Sequence, residues 1–348
     1  MKIGVITTSY PRFAGDHAGG FVAAHVEAMR AHGHDVEVIA AGADEPLFYR
    51  GGAPDQLERG GSMVAAVSFT ARLTARVVRR ARDWDLAVAH WLAPSALAAL
   101  PTRVPVLAIA HGGDVHTLAR LHLLGATLAL LRARRAKLAF VSAELRALAA
   151  RHGHVGDAIV QPMGVDLAHF AALGRAPTTP PTVLVVARLT PVKGVDVAIA
   201  AMRQLATRAQ LVVAGDGPER EALARETPLL GAVDTSHRDR LLREASVVVV
   251  PSRVLANGRS EGTPAIALEA LATGVPVIAS AVGGLRDLTA ATLVHPDDPR
   301  ALAASIDRVL AMPPVADRLR ASVADLGWAD VTTRLLAHAQ IRAPDGRA

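Results

Sequence analysis

The sequence predicts an α/β protein built from two doubly wound parallel-sheet domains. Three observations carry this. Short apolar runs alternate with segments of helical length, the order that gives parallel strands with right-handed crossovers. The chain has 348 residues, too many for one ordinary α/β core. Residues 171–182, AALGRAPTTPPT, are rich in proline and lack apolar periodicity, and after them the strand–helix pattern restarts.

In the first half, residues 2–8 read as a strand, followed by the Gly-rich loop Gly15-Asp16-His17-Ala18-Gly19-Gly20. A helix over 21–32 stops at Gly33, and 35–40 is the next strand. Residues 41–61 look like irregular surface chain, and 64–82 reads as a basic helix. Short apolar strands follow at 85–90, 104–110, 138–142 and 158–161. In the second half, strands fall at 183–187, 211–214, 247–250, 275–279 and 292–294, with a helix over 195–205. Thr263 can cap an apolar helix whose first position suits Pro264. The amphipathic segment 328–341 either crosses back onto the first domain or stays on the second, and periodicity does not choose. The expected division is therefore 1–170, a linker at 171–182, 183–327, and a closing segment at 328–348.

Composition narrows the function classes. The chain is 51% hydrophobic and 20% charged, with a net charge of +6. Charge is spread: residues 1–170 carry 18 Lys+Arg against 14 Asp+Glu, and the remainder 20 against 18. Aromatics are 3%, so the basic stripe with aromatics that binds nucleic acid is missing. An anionic small ligand or a membrane surface fits better. Zero cysteines exclude disulfides and thiolate metal sites. The opening apolar run is too short for a secretory leader, and the longest, 123–131, is too short to span a bilayer. The expectation is a cytoplasmic, soluble protein or one attached peripherally to the inner face of a membrane.

Candidate site residues gather where strands end, the edge at which open α/β sheets bind ligands. Glu261 and Glu269 bracket the start of the apolar helix, whose free N–H groups suit an anion. Glu269 sits in AIALEALA with no basic neighbour in sequence, so it either faces solvent or needs a partner such as the vicinal hydroxyls of a ribose. Glu261 could meet sugar hydroxyls or simply complement the helix dipole. Arg188 ends one strand and Lys193, one of only three lysines, follows in the same loop. Two cations there suit a diphosphate, although surface charge is the ordinary alternative. His111 follows the strand over 104–110 and could reach a substrate hydroxyl or be structural. Gly19 and Gly20 would let backbone N–H groups approach a phosphate, but neither this loop nor Gly215-x-Gly217 is a dinucleotide fingerprint. No paired-histidine zinc motif occurs, so no catalytic metal is expected. One rival stands against these: Gly258-Arg259-Ser260-Glu261-Gly262 matches the G-x-S-x-G elbow of serine hydrolases, with Asp287 and His295 in the right order. That elbow requires the strand to run directly into the serine turn, and residues 251–257 intervene.

Taken in series, GGFV at 19–22, HGGD at 111–114, PMGVDLAHF at 162–170, RLTPVKG at 188–194, AGDGPE at 214–219, EGTP at 261–264 and LEALATGVPVIASAVGG at 268–284 resemble the retaining nucleotide-sugar glycosyltransferases of family 4, which have the GT-B fold. The resemblance covers most of the chain. It implies that the second domain holds the nucleotide, with Glu269 on the ribose and Arg188 and Lys193 on the diphosphate. Glu261 and the backbone of Gly262, Thr263, Pro264 and Ala265 would contact the donor sugar. His111 would meet that sugar from the first domain, Gly19 and Gly20 would close over phosphate, and the base would lie near Gly231. His111, Glu261, Arg188 and Lys193 are thus the implied catalytic set. The resemblance further implies retention of configuration, no metal, no cofactor beyond the donor, and a leaving diphosphate that helps deprotonate the acceptor. A sugar-nucleotide-binding subunit without activity would share these motifs. Many relatives act on lipid-linked acceptors, and the basic segments at 72–82 and 118–137, the latter with Leu118, Leu121, Leu128 and Leu131, could meet a membrane; core-facing leucines are the plainer reading.

Overall fold

A computed structural model describes residues 1–13, 16, 18–41 and 63–339. Gly15, His17, most of the irregular segment expected at 41–61, and residues 340–348 lie outside the described residues. The chain divides into two compact units.

The first unit holds a six-stranded, all-parallel sheet: β1 Lys2–Ile6, β2 Asp35–Ile39, β3 Leu86–His90, β4 Val106–Ala110, β5 Lys137–Phe140 and β6 Ile159–Val160. Their order is β2-β1-β3-β4-β5-β6. The chain therefore moves one way from β1 to β2, then returns to the other side of β1 for β3. That reversal makes the C-terminal ends of β1 and β3 a switch point. β3 and β4 are fully buried and read as continuous apolar runs, as strands covered on both faces must.

The helix Met63–Arg80 lays Phe69, Leu73 and Val77 on the core, one stripe at i, i+4, i+8. Two of its arginines find partners elsewhere in the unit: Arg76 donates to the Ala40 carbonyl, and Arg80 pairs with Glu37. Leu118, Leu128 and Leu131 are also buried in this core. Three of the four leucines named for a membrane contact are therefore turned inward, and Leu121 is partly buried. No described helix is long and apolar enough to cross a membrane.

The helix Trp328–Ala339 belongs to the first unit. Val331, Leu335, Leu336 and Ala339 enter the same core, His338 meets the Leu138 carbonyl, and Arg334 donates to Gln161.

The second unit spans Val165–Gly327. Its sheet is also all parallel: β7 Thr182–Val186, β8 Gln210–Ala214, β9 Val247–Val250, β10 Val277–Ser280 and β11 Thr292–Val294, ordered β11-β10-β9-β7-β8. The reversal here lies between β7 and β9. The division also falls earlier than the proline-rich segment suggested. Val165 and Phe170 enter the second core, and Ala176 and Thr178 donate to the carbonyls of Arg243 and Glu244. Prolines remove donors but leave their neighbours free to pair, so a segment that reads as a linker is tied down by its non-proline residues.

Leu335 is fully buried. Leu335→Ala should lower unfolding free energy by about 2–5 kcal/mol in urea titration. A loss below about 1 kcal/mol would show that the closing helix contributes little to the first core.

Candidate active site

The switch point of the second unit brings together two loops that are far apart in sequence. After β7 the chain makes a tight turn, Pro191–Lys193, and after β9 it enters the segment leading to Glu261. The Arg253 amide donates to the Val192 carbonyl at 2.9 Å and joins the two. Lys193 Nζ then reaches Glu261 Oε2 in an ion pair, and Ser252 Oγ donates to the same oxygen at 3.3 Å. Both charged side chains are largely buried, at 21% and 15% exposure. Lys193 and Glu261 were expected to face different parts of a ligand; the structure shows them neutralising each other. Arg188 lies exposed just past β7.

Glu261-Gly262-Thr263 rests against the turn after β10. A Cβ at Gly283, which has φ +54°, would fall 1.7 Å from the Glu261 carbonyl oxygen. One at Gly284 would fall 2.4 Å from Thr263 Oγ1. The paired glycines are required because the loop carrying Glu261 lies directly on their backbone.

The apolar helix begins at Ala265, one residue later than its sequence signals imply. Pro264 takes the cap position with an extended backbone, and no side chain caps the helix. Thr263 is thus not the cap: its hydroxyl is turned toward Gly284. Along this helix Ala267, Leu268, Ala270 and Leu271 are buried, which leaves Glu269 in a site only 14% exposed.

Glu269 has a partner that sequence neighbours could not reveal. Arg238, on the helix Thr235–Glu244, donates to Glu269 Oε1 at 3.0 Å. The same guanidinium donates to Asp239 at 2.8 Å and stacks 5.2 Å from the Phe170 ring centre. His169 closes the network on Asp239 Oδ2 at 2.7 Å. Burial pushes the Glu269 carboxyl up from its ordinary range, and Arg238 opposes that shift. Glu269 is therefore neither a solvent-facing acid nor an unpaired one.

Gly231, at φ +76°, accepts from the Gly215 amide at 2.7 Å and lies beneath Arg220. Ser260 does not form a hydrolase elbow. It lies ten residues past Val250 rather than at the strand end, and His295 bonds the Pro296 carbonyl instead of the serine. Among the described residues no group of three or more His, Asp or Glu could hold a metal ion.

In the first unit, His111 follows β4 with its ring packed among Phe21, Trp91 and His90, at centroid distances of 4.9, 5.0 and 5.1 Å. Asp114, buried two residues beyond the turn's first glycine, organises the local backbone. It accepts from the amides of Leu92 at 2.6 Å, His111 at 3.2 Å and Gly112 at 3.0 Å. One carboxylate thus fixes the chain after both β3 and β4. His90 and His25, which no motif singled out, continue inward from His111. Gly19 has φ +67°, and a Cβ there would meet the Ser9 carbonyl at 2.1 Å. Gly20 opens the helix Gly20–Ala31 with nothing within 4 Å of its would-be Cβ.

Burial pushes His25 down to about 4, His111 to about 3, and His90 well below 6.5. The folded chain keeps these rings neutral while the unfolded chain protonates them below its ordinary value of 6.5. Stability should therefore fall as pH drops from 6.5 toward 4, by about 1.4 kcal/mol per pH unit for each excluded proton. Urea unfolding at a series of pH values checks this: His25→Phe should show one proton less of slope than wild type, and equal slopes would contradict the assignment.

The model for Glycosyltransferase Family 4 matches residues 18–169, and that for Glycosyl transferases group 1 matches residues 180–312. A D-inositol 3-phosphate glycosyltransferase of Mycolicibacterium gilvum is 34% identical over 216 residues, 53% of this chain and 47% of that protein. A glycogen synthase of Mycobacterium tuberculosis is 34% identical over 193 residues, 49% and 45% of the two chains. The chain spans less than half the length of the curated relatives it matches. Among solved structures, Anabaena HepE in complex with UDP-glucose aligns with TM-score 0.72 at 18% identity, covering 97% of this chain and 98% of that one. Sucrose-phosphate synthase from Thermosynechococcus elongatus aligns with TM-score 0.73 at 23% identity, covering 97% of each. These likenesses concern the fold, and the fold is GT-B. With both halves matched in order by glycosyltransferase models and both sheets of that architecture present, the chain belongs to the family 4 glycosyltransferases.

Proposed function

We propose that this protein is a retaining transferase that moves a sugar from a nucleoside diphosphate to an acceptor bound by its first unit. The observation that carries the reading is the Lys193–Glu261 pair at the switch point of the second sheet, in the same unit as the Arg238–Glu269 pair. Buried opposite charges of this kind are set to exchange partners with a ligand that carries both hydroxyls and phosphates.

Glu269, oriented by Arg238, accepts hydrogen bonds from the two ribose hydroxyls. Lys193 and Arg188 hold the diphosphate beside the first N–H groups of the helix Ala265–Thr273. As the bond to the anomeric carbon breaks, negative charge grows on the leaving diphosphate, and these fixed donors stabilise it more than they stabilise the intact donor. Glu261, released from Lys193, accepts from hydroxyls of the sugar. The acceptor attacks from the face the diphosphate leaves, its proton passing to a diphosphate oxygen, so configuration is retained without an enzyme nucleophile or a metal. HepE was solved with UDP-glucose, which makes UDP-sugars the first donors to try.

A panel of UDP-, GDP-, ADP- and TDP-sugars, assayed for nucleoside diphosphate release with and without acceptor, tests this. Lys193→Ala should lower turnover about 10²- to 10³-fold in protein that is still folded at the assay temperature, with a lower Tm because Glu261 loses its buried cation. Glu269→Ala should raise the donor KM about 10- to 100-fold with a smaller effect on kcat. EDTA should leave the rate unchanged. Wild-type turnover by Lys193→Ala would remove the diphosphate assignment. Donor binding with neither transfer nor hydrolysis would make the protein a binding subunit.

A further inference from the structure

Three histidines of the first unit form one hydrogen-bonded chain. His25 lies on the helix Gly20–Ala31, His90 ends β3, and His111 follows β4. His25 Nδ1 is 3.2 Å from His90 Nε2, and His90 Nδ1 is 3.0 Å from His111 Nε2. At the inner end, His25 Nε2 is buried with no hydrogen-bond partner among the described residues. The His25 ring lies 5.6 Å from that of Trp328 with the planes at 18°, and the indole makes no hydrogen bond to this nitrogen. At the outer end, His111 keeps part of its surface exposed.

A neutral imidazole carries one N–H and one bare nitrogen. Each contact between rings needs an N–H on one side and a bare nitrogen on the other. Three neutral rings joined in this way have only two arrangements. In one, every ring is protonated on Nδ1 and the chain donates outward from His25 to His111. In the other, every ring is protonated on Nε2 and the chain donates inward.

The ends decide between them. The inward arrangement buries an N–H at His25 Nε2 with nothing to accept it. The outward arrangement leaves a bare nitrogen there. Orphaned buried donors are rarer in folded proteins than under-satisfied acceptors, so the outward arrangement is favoured. We infer that His25 and His90 are positioning residues that hold His111 as its Nδ1–H tautomer, so that the ring offers a hydrogen-bond donor to whatever binds there. An unconstrained histidine prefers the opposite tautomer, with the proton on Nε2. The consequence for substrate rests on the transferase reading: the ligand atom at His111 is an oxygen accepting a hydrogen bond, and His111 is not the base that deprotonates the acceptor.

The test is a long-range ¹H–¹⁵N correlation spectrum of the ¹⁵N-labelled full chain at neutral pH, recorded without donor. His111→Gln and His90→Phe assign the signals. All three Nδ1 atoms should show pyrrole-type shifts and all three Nε2 atoms pyridine-type shifts, with the Nδ1–H form of His111 in excess by about tenfold or more. His90→Phe keeps a flat ring in the stack but removes both hydrogen bonds, and His111 should then revert to Nε2–H. Wild-type His111 protonated on Nε2, or on both nitrogens, overturns the inference. A folded His90→Phe protein that keeps Nδ1–H at His111 overturns the positioning role of His90. The wild-type spectrum decides even if that variant does not fold. Because no donor is present, the spectrum stands or falls apart from the transfer assay.

Discussion

Every strand in both sheets runs parallel to its neighbours, and the placement of the candidate site side chains depends on that constraint. Parallel strands deliver all their C-terminal ends to one edge, and each return connection must pass through a helix. Loops that leave this edge therefore converge whatever their distance in sequence. The turn after β7 meets the chain after β9, which brings Lys193 to Glu261 across 68 residues. The ends of β3 and β4 bring His90 to His111. Each reversal of strand order opens a place between two such ends, and the chemistry-bearing side chains gather there.

Within those places the charges are arranged in pairs. A largely buried carboxylate without a cation would be costly, and Lys193 and Arg238 each remove that cost while fixing an orientation. Arg238 is bound on two sides, by Glu269 and Asp239, and covered by Phe170, so its guanidinium has one geometry. Such pairs add little net stability. They hold these polar groups in a fixed arrangement, as the proposed donor site would require. The first unit solves the same problem without charge pairs. Asp114 satisfies three backbone amides, and the histidines satisfy one another.

Much of the fold was legible because its signals are local. The continuous apolar runs at β3, β4 and β9 mark strands buried on both faces, and periodicity marks the helix over Phe69, Leu73 and Val77. That Arg188 and His111 fall just past strand ends was legible for the same reason. What the sequence left open depends on partners brought together by the fold. Glu269 looked unpaired because Arg238 stands 31 residues away on another helix. His90 carried no signal, since an apolar strand ending in histidine is ordinary until a second histidine is placed beside it. Periodicity could not choose a unit for Trp328–Ala339, since an amphipathic face says that a helix packs but not on what. The helix after Pro264 starts one residue late because Thr263 turns toward Gly284 rather than toward the helix, a tertiary contact that overrides a local capping preference.

The transferase reading turns on whether the Glu269 carboxylate accepts from a ribose diol in the second unit. Titration calorimetry of the full chain with the four ribonucleoside diphosphates and their 2′-deoxy counterparts decides this. The preferred ribonucleotide should bind about 10- to 100-fold more tightly than its deoxy form, and Glu269→Ala should abolish the difference. Equal affinity of wild-type protein for the two forms would contradict it.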